Sequence, residues 1–272
     1  MLDRGGETML ALITGASSGI GRDFARVLSE MGYDLILVAR RKTKLQALKK
    51  ELNTNVECIT MDLSSTFHCM ELYREVKDKD IDIVINNAGF GLFGEFSTTN
   101  LDKELDMIDL NVKAVHTLTK LLLKDFQKKD KGYILNVASS AAFLPGPLMS
   151  TYYATKAYVY RLTEAIHEEL RKEHSHVYIG ALCPGPVHTE FNKVAKVNFQ
   201  LQGLESRDVC EYAIKKMFQR KMIIIPGMTM KLSKFLIRFA PESLLLKIAY
   251  HIQKKKEWFF LFFGWKQEKS IL

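Results

Sequence analysis

Seven short apolar runs, each followed by a longer stretch of helical periodicity, set the narrowest limit on what this chain can fold into. The runs lie at residues 10–13, 35–38, 56–61, 81–85, 133–137, 177–182 and 222–225. They are rich in Ile, Leu and Val without strict polar alternation, the pattern of strands buried on both faces of a parallel sheet. Between them the sequence predicts helices, among them 19–31, 101–128 and 151–172. Strand–helix alternation sustained this far predicts an α/β fold: one doubly wound parallel sheet of about seven strands with helices on both faces.

The chain has 272 residues, enough for one large domain, and shows no internal repeat or low-complexity linker. The expected organisation is an N-terminal extension over 1–8, a single domain over 9–229 and a C-terminal extension over 230–272. Hydrophobic residues at 47% and charged residues at 26% fit a globular chain that is not membrane-embedded. Residues 1–8 lack the apolar stretch of a secretory signal. Cys58, Cys69, Cys183 and Cys210 form no CxxC pair, so neither a disulfide framework nor a zinc site is expected, and a reducing cytoplasm is the default location. His174 and His176 have no third ligand nearby in sequence and read as part of a solvated connection; no metal is expected. The net charge of +8 is concentrated at one end, with nine basic and three acidic residues over 230–272. That placement gives no basic stripe along the domain and excludes a nucleic-acid partner from the expectations.

The first strand runs into Thr14-Gly15-Ala16-Ser17-Ser18-Gly19-Ile20-Gly21 and then a helix. Glycines in a strand–turn–helix permit a tight turn and close backbone approach to a pyrophosphate at a positive helix N-terminus. The spacing is G-x3-G-x-G, which alone marks only a tight turn. The second strand ends Val38-Ala39-Arg40-Arg41, where a carboxylate would favour NAD. Arginine there suits a ribose 2′-phosphate, and one of the two begins the next helix, so NADP(H) is favoured.

Tyr152 and Lys156 stand four apart in Tyr152-Tyr153-Ala154-Thr155-Lys156, on one face of a predicted helix. A tyrosine with its ordinary pKa of about 10 exchanges protons poorly at neutral pH, and a neighbouring ammonium lowers that value. Tyr153, about 100° round the helix, reads as packing or pocket lining. Ser139 lies just beyond the strand at 133–137, at the sheet edge where ligands of such folds sit; Ser140 fits the spacing less well.

These motifs together resemble the short-chain dehydrogenases/reductases, with a general likeness to hydroxysteroid dehydrogenases. The resemblance runs from Met9 to about Gly227 and includes Asp62-Leu63, Asn86-Asn87-Ala88-Gly89, Asn111 and Pro184-Gly185, in order and at family-like intervals. It implies a Rossmann sheet in which Tyr152 exchanges the substrate proton, Lys156 lowers its pKa and binds the nicotinamide ribose, and Ser139 orients the carbonyl. Asn111 would hold a water that relays protons from Lys156. Gly15, Ser17, Ser18, Gly19, Ile20 and Gly21 would cradle the pyrophosphate, with Arg40 or Arg41 on the 2′-phosphate. Asp62, Leu63, Asn87, Ala88 and Gly89 would shape the adenosine pocket, and Pro184, Gly185, Val187 and Thr189 would reach the nicotinamide. The implied assembly is a homodimer or homotetramer, paired through the long helices containing Asn111 and Tyr152.

A variable flap over 191–204 carries Lys193, Lys196, Asn198 and Gln202, and largely apolar walls at 89–94 and 141–148 contain no arginine clamp. A lipophilic small-molecule substrate such as a steroid or a long acyl chain is expected. A hydroxysteroid and a 3-oxoacyl lipid both fit, and a non-catalytic regulator is the alternative from another class. In the extension, Leu232, Phe235, Leu236 and Phe239 share a helical face; Pro241 breaks it, and Leu244, Ile248 and Ile252 begin a second helix. Lys254, Lys255 and Lys256 precede the cluster running from Trp258 to Trp265. This extension is either a peripheral membrane contact or a lid or subunit contact.

Overall fold

A computed structural model describes residues 9–191, 195 and 203–267, the last thirteen of these as helical backbone. The expected N-terminal extension and the flap residues Lys193, Lys196, Asn198 and Gln202 lie outside the described residues. The predicted runs all become strands: β1 (Leu10–Thr14), β2 (Asp34–Ala39), β3 (Val56–Thr60), β4 (Ile83–Asn86), β5 (Tyr133–Val137), β6 (Tyr178–Leu182) and β7 (Ile223–Ile224). They form one parallel sheet in the order β3-β2-β1-β4-β5-β6-β7. The helices are α1 (Gly19–Glu30), α2 (Lys42–Glu51), α3 (Thr66–Val76), α4 (Leu101–Ile108), α5 (Val115–Lys129), α6 (Ser150–Lys172), α7 (Ser206–Phe218), α8 (Met228–Ile237) and α9 (Glu242–Gln267).

The sheet is buried on both sides because neighbouring strand residues enter different cores. Ile13, Leu37 and Ile85 pack with Phe24 and Leu28 of α1 and Val209 and Met217 of α7. Leu12, Val38 and Val84 pack with Leu72 of α3 and Leu118 and Phe126 of α5. This accounts for strands without polar alternation. The chain enters at the centre on β1, winds outward to β3, then returns to β4 on the other flank of β1. The carboxyl ends of β1 and β4 therefore lead into connections that diverge, which opens a ligand crevice there.

The helix predicted over 101–128 is three segments. Between α4 and α5, Asp109–Ala114 is π-helical, so the ladder of hydrogen bonds widens around Asn111. In the second tail helix the apolar stripe faces outward. Leu244, Ile248 and Ile252 are 48%, 46% and 52% exposed, whereas Ala249 and Gln253 turn inward and are buried.

Candidate active site

The carboxyl ends of β1 and β4 are fastened by Thr14. Its hydroxyl accepts hydrogen bonds from the backbone N–H groups of Asn87 (3.0 Å) and Ala88 (3.1 Å). The Asn87 amide donates to the Thr14 carbonyl oxygen at 3.1 Å and to that of Gly15 at 3.3 Å. Gly15 adopts φ +67°, and a Cβ there would lie 2.8 Å from Ala88 Cα, so both conformation and space require glycine. Gly21 sits behind this turn against Asn87.

From that turn a cavity of about 710 Å³ extends along the sheet edge. One end is walled by Gly15, Ser17, Ser18, Gly19, Ile20, Arg40, Arg41, Asp62, Leu63, Asn87, Ala88 and Gly89. Its middle holds Ser139, Tyr152, Lys156, Pro184, Gly185, Val187 and Thr189. The structure thus brings together every predicted site residue except Gly21 and Asn111, which stand one layer behind. Arg41, rather than Arg40, faces the glycine turn: its guanidinium donates to Ser18 Oγ at 2.7 Å and to Ser17 Oγ at 3.0 Å. Arg40 pairs with Asp62 at 3.6 Å.

Two residues missed in the sequence complete that end. Arg41 Nη1 lies 2.8 Å and Lys44 Nζ 2.5 Å from the Glu190 carboxylate. Lys44 first, then Arg41, hold that carboxyl down to about 2.

The predicted helical pairing of Tyr152 and Lys156 is present on α6. Lys156 Nζ lies 5.9 Å from the Tyr152 ring centre and donates to the Val137 carbonyl oxygen at 2.8 Å. Burial lowers the Lys156 pKa to about 8. The expected lowering of the Tyr152 pKa is not what the structure shows. Burial pushes the phenol above its ordinary value, and a hydrogen bond with the Ser139 hydroxyl offsets part of that rise. Desolvation of the phenolate is the largest influence on this group. Ser139 also caps a short 3₁₀ turn, Ser140–Phe143, by accepting from Ala141 N at 3.1 Å, which fixes its hydroxyl beside the phenol.

Asn111 is fully buried in the π-helical segment. Its side chain accepts from Phe90 N (3.0 Å) and donates to Phe90 O (2.9 Å) and Thr155 Oγ1 (3.1 Å), fastening the loop after β4 to α6. A methyl at Gly89 would meet Asn111 Oδ1 at 2.8 Å and Lys156 Nζ at 3.5 Å, which places both polar groups around one glycine.

The far end of the cavity is apolar and owes much to the tail. Phe143, Leu144, Met149, Tyr153 and Phe191 meet Met230, Ser233 and Ile237 from α8 and Ala249, Ile252 and Gln253 from α9. Of the predicted walls, Leu92 and Phe93 do not line the cavity; they pack one layer behind it, against a small cluster that includes Met107, Met149 and Tyr152. The sequence left this extension open between a lid and a membrane contact; α9 turns Ala249 and Gln253, its less apolar side, toward the chamber. Tyr153 lines the chamber as expected, and its hydroxyl accepts from Gln253 Nε2. Among the described residues no three His, Cys, Asp or Glu side chains cluster to hold a metal, and His176 pairs with Asp130 at 2.6 Å.

A dinucleotide fits this arrangement: the glycine turn at the start of α1 lines the cavity, the Arg41 guanidinium lies against Ser17 and Ser18, and the cavity leads from there to Tyr152. Residues 9–198 match the family model described as short chain dehydrogenase. The human very-long-chain 3-oxoacyl-CoA reductase is 30% identical over 194 residues, covering 68% of this chain and 62% of that protein. Human 17-beta-hydroxysteroid dehydrogenase type 3 is 31% identical over 194 residues, covering 69% of this chain and 62% of that protein. The match therefore spans about three fifths of these two relatives. Among solved structures, a short-chain dehydrogenase from Sphingobium yanoikuyae in complex with NADPH superposes with a TM-score of 0.78 at 30% identity, covering 87% of this chain and 95% of that one.

Proposed function

Since the chain belongs to the short-chain dehydrogenase family of oxidoreductases, we propose that it reduces a ketone on a lipophilic substrate to a secondary alcohol with NADPH. The observation that carries this reading is the trio of Tyr152, Ser139 and Lys156, set midway between a cation-flanked glycine turn and an apolar chamber. A nicotinamide cofactor bound along the cavity supplies hydride to the carbonyl carbon. The protein's own task is the proton. Burial keeps the Tyr152 phenol protonated at neutral pH, the form that can give its proton to a carbonyl oxygen as that oxygen gains negative charge. Ser139 and Tyr152 form two donors converging on one oxygen, and Ser139 is held in place by its cap on Ala141. Lys156, with its pKa lowered to about 8, can replenish a proton near neutrality. Asn111 and Lys156 both lie against Gly89.

Arg41 and Lys44 are the residues to hold a ribose 2′-phosphate, which supports NADP(H) over NAD. A chamber walled by Phe143, Leu144, Met149 and Phe191 supports a steroid or long acyl frame, and the two human relatives act on one of each class by name. The same reading includes a homodimer that pairs through α4, α5 and α6.

The test is to follow NADPH consumption with oxidised steroids, 3-oxoacyl thioesters and small diketones. Tyr152→Phe is expected to lower kcat by about two to four orders of magnitude. NADPH binding should persist in that variant. Normal turnover by Tyr152→Phe would remove the assigned proton donor. NADPH binding by the wild type without turnover of any ketone would favour a regulator instead.

A further inference from the structure

The hairpin of α8 and α9 is two-sided. Its inner side closes the chamber through Met230 and Ile237 on one helix and Ala249 and Gln253 on the other. Lys234 anchors it there, 5.1 Å from the Phe143 ring and 5.2 Å from that of Tyr160. Its outer side is apolar and uncovered: Leu232, Phe235 and Leu236 on α8 and Phe239 in the turn after it are 57%, 56%, 54% and 73% exposed. Of the sixteen exposed large hydrophobic residues among those described, ten fall between Met228 and Ile252. A patch so concentrated marks an interaction surface rather than scattered surface residues.

Charge selects the partner. Lys231, Arg238, Lys247 and Lys254 are exposed on the same two helices. Residues 230–272 carry nine basic and three acidic side chains, and α9 runs on through Lys255 and Lys256 into the Trp258–Trp265 stretch. A second copy docking symmetrically would set two such basic surfaces against each other, which repels. An anionic lipid surface offers opposite charge to the lysines and an apolar layer to the phenylalanines. No helix among the described residues is long and apolar enough to cross a membrane. Ile252 both lines the chamber and is 52% exposed, so the rim of the chamber lies on this hairpin.

We propose that the α8–α9 hairpin docks flat on an anionic lipid bilayer and presents the chamber rim to the lipid, so that lipophilic substrate enters from the membrane. The docking stands on the hairpin alone; the route of entry rests on the function proposed above.

The test is sedimentation of the full chain, without substrate, with vesicles of phosphatidylcholine alone or mixed with phosphatidylserine. The wild type is expected to bind the mixed vesicles, to bind the neutral ones far less, and to be released as salt rises. Phe235→Glu with Phe239→Glu removes two interfacial rings outside the chamber wall, and binding should fall about a hundredfold. Its turnover of a water-soluble diketone should match the wild type, which checks folding. Lys247→Glu with Arg238→Glu is a second variant that must also weaken binding to the mixed vesicles. A wild type that stays in solution with anionic vesicles overturns docking, as does a Phe235→Glu, Phe239→Glu protein that binds undiminished. Loss of oligomeric mass in that variant, with no vesicle binding by the wild type, would make the face a subunit contact and overturn it equally. An inactive protein that binds vesicles leaves docking intact, so the two failures are distinguishable.

Discussion

Glu190 occupies the two cations that an anionic ribose phosphate would need. Its carboxylate spans Arg41 and Lys44, both on the solvent side of the glycine turn and both about two-fifths exposed, so the contact is screened and exchangeable. A phosphate bearing more charge and more acceptor oxygens than a carboxylate can displace it. Arg41→Ala is therefore expected to weaken NADPH by about tenfold while NADH changes little. Glu190→Gln should act in the opposite sense and tighten NADPH by about threefold, since it removes the internal competitor. Fluorescence titration of both cofactors checks this, and an unchanged NADPH-to-NADH ratio in Arg41→Ala would move the phosphate contact to Arg40. The arginines were legible because they end a strand at a recognisable point. Lys44 and Glu190 were not: they meet across 146 residues, and only the fold brings the carboxylate of the loop after β6 to the start of α2.

At the level of elements, the seven strands could be read because burial on both faces leaves continuous apolar runs, and their ends shift by only a few residues. The long helix over 101–128 was read as uninterrupted, since a π-helical turn has no compositional mark of its own. That turn matters because it aims Asn111 at Phe90 and Thr155, joining the loop after β4 to the helix that carries Tyr152. Asn111→Leu keeps the approximate volume but leaves the Phe90 N–H and C=O without these partners. The expected cost is about 2 kcal/mol of unfolding free energy, the penalty for buried polar groups left unmatched. Turnover should fall further than stability alone explains, since the strap that sets α6 against the β4 loop is gone. Denaturant unfolding beside steady-state rates checks both, and a stability loss under about 0.5 kcal/mol would show that the strap carries little load. The tail helices were legible as helices, but the direction they face was not. Their more apolar stripe points outward, against the ordinary rule that the apolar stripe seeks the core.

Across the whole molecule, apart from Met31, Phe67 and Phe96, the large exposed apolar side chains among the described residues fall on two separate surfaces. One is the α8–α9 hairpin; the other joins α4 and α6, where Leu101 is 67%, Leu105 49% and Tyr158 40% exposed. Side-chain hydrogen bonds tie the helices of the second surface together. Thr151 of α6 donates to Glu104 of α4 at 2.7 Å, and His116 of α5 meets the Tyr158 hydroxyl at 2.8 Å. A two-fold dimer needs a patch that complements itself, and this one carries charges of both signs, Lys113 and Asp109 among them, which pair at 2.6 Å. The hairpin, by contrast, is predominantly basic. Assembly and membrane docking should therefore separate by mutation. Leu105→Glu with Tyr158→Glu is expected to convert a dimer to a monomer in sedimentation equilibrium while vesicle binding per chain weakens only through lost avidity. Phe235→Glu with Phe239→Glu should leave the mass unchanged and lower vesicle binding about a hundredfold. If the first pair leaves a dimer intact, the subunits meet elsewhere; if it abolishes vesicle binding outright, the two surfaces act as one.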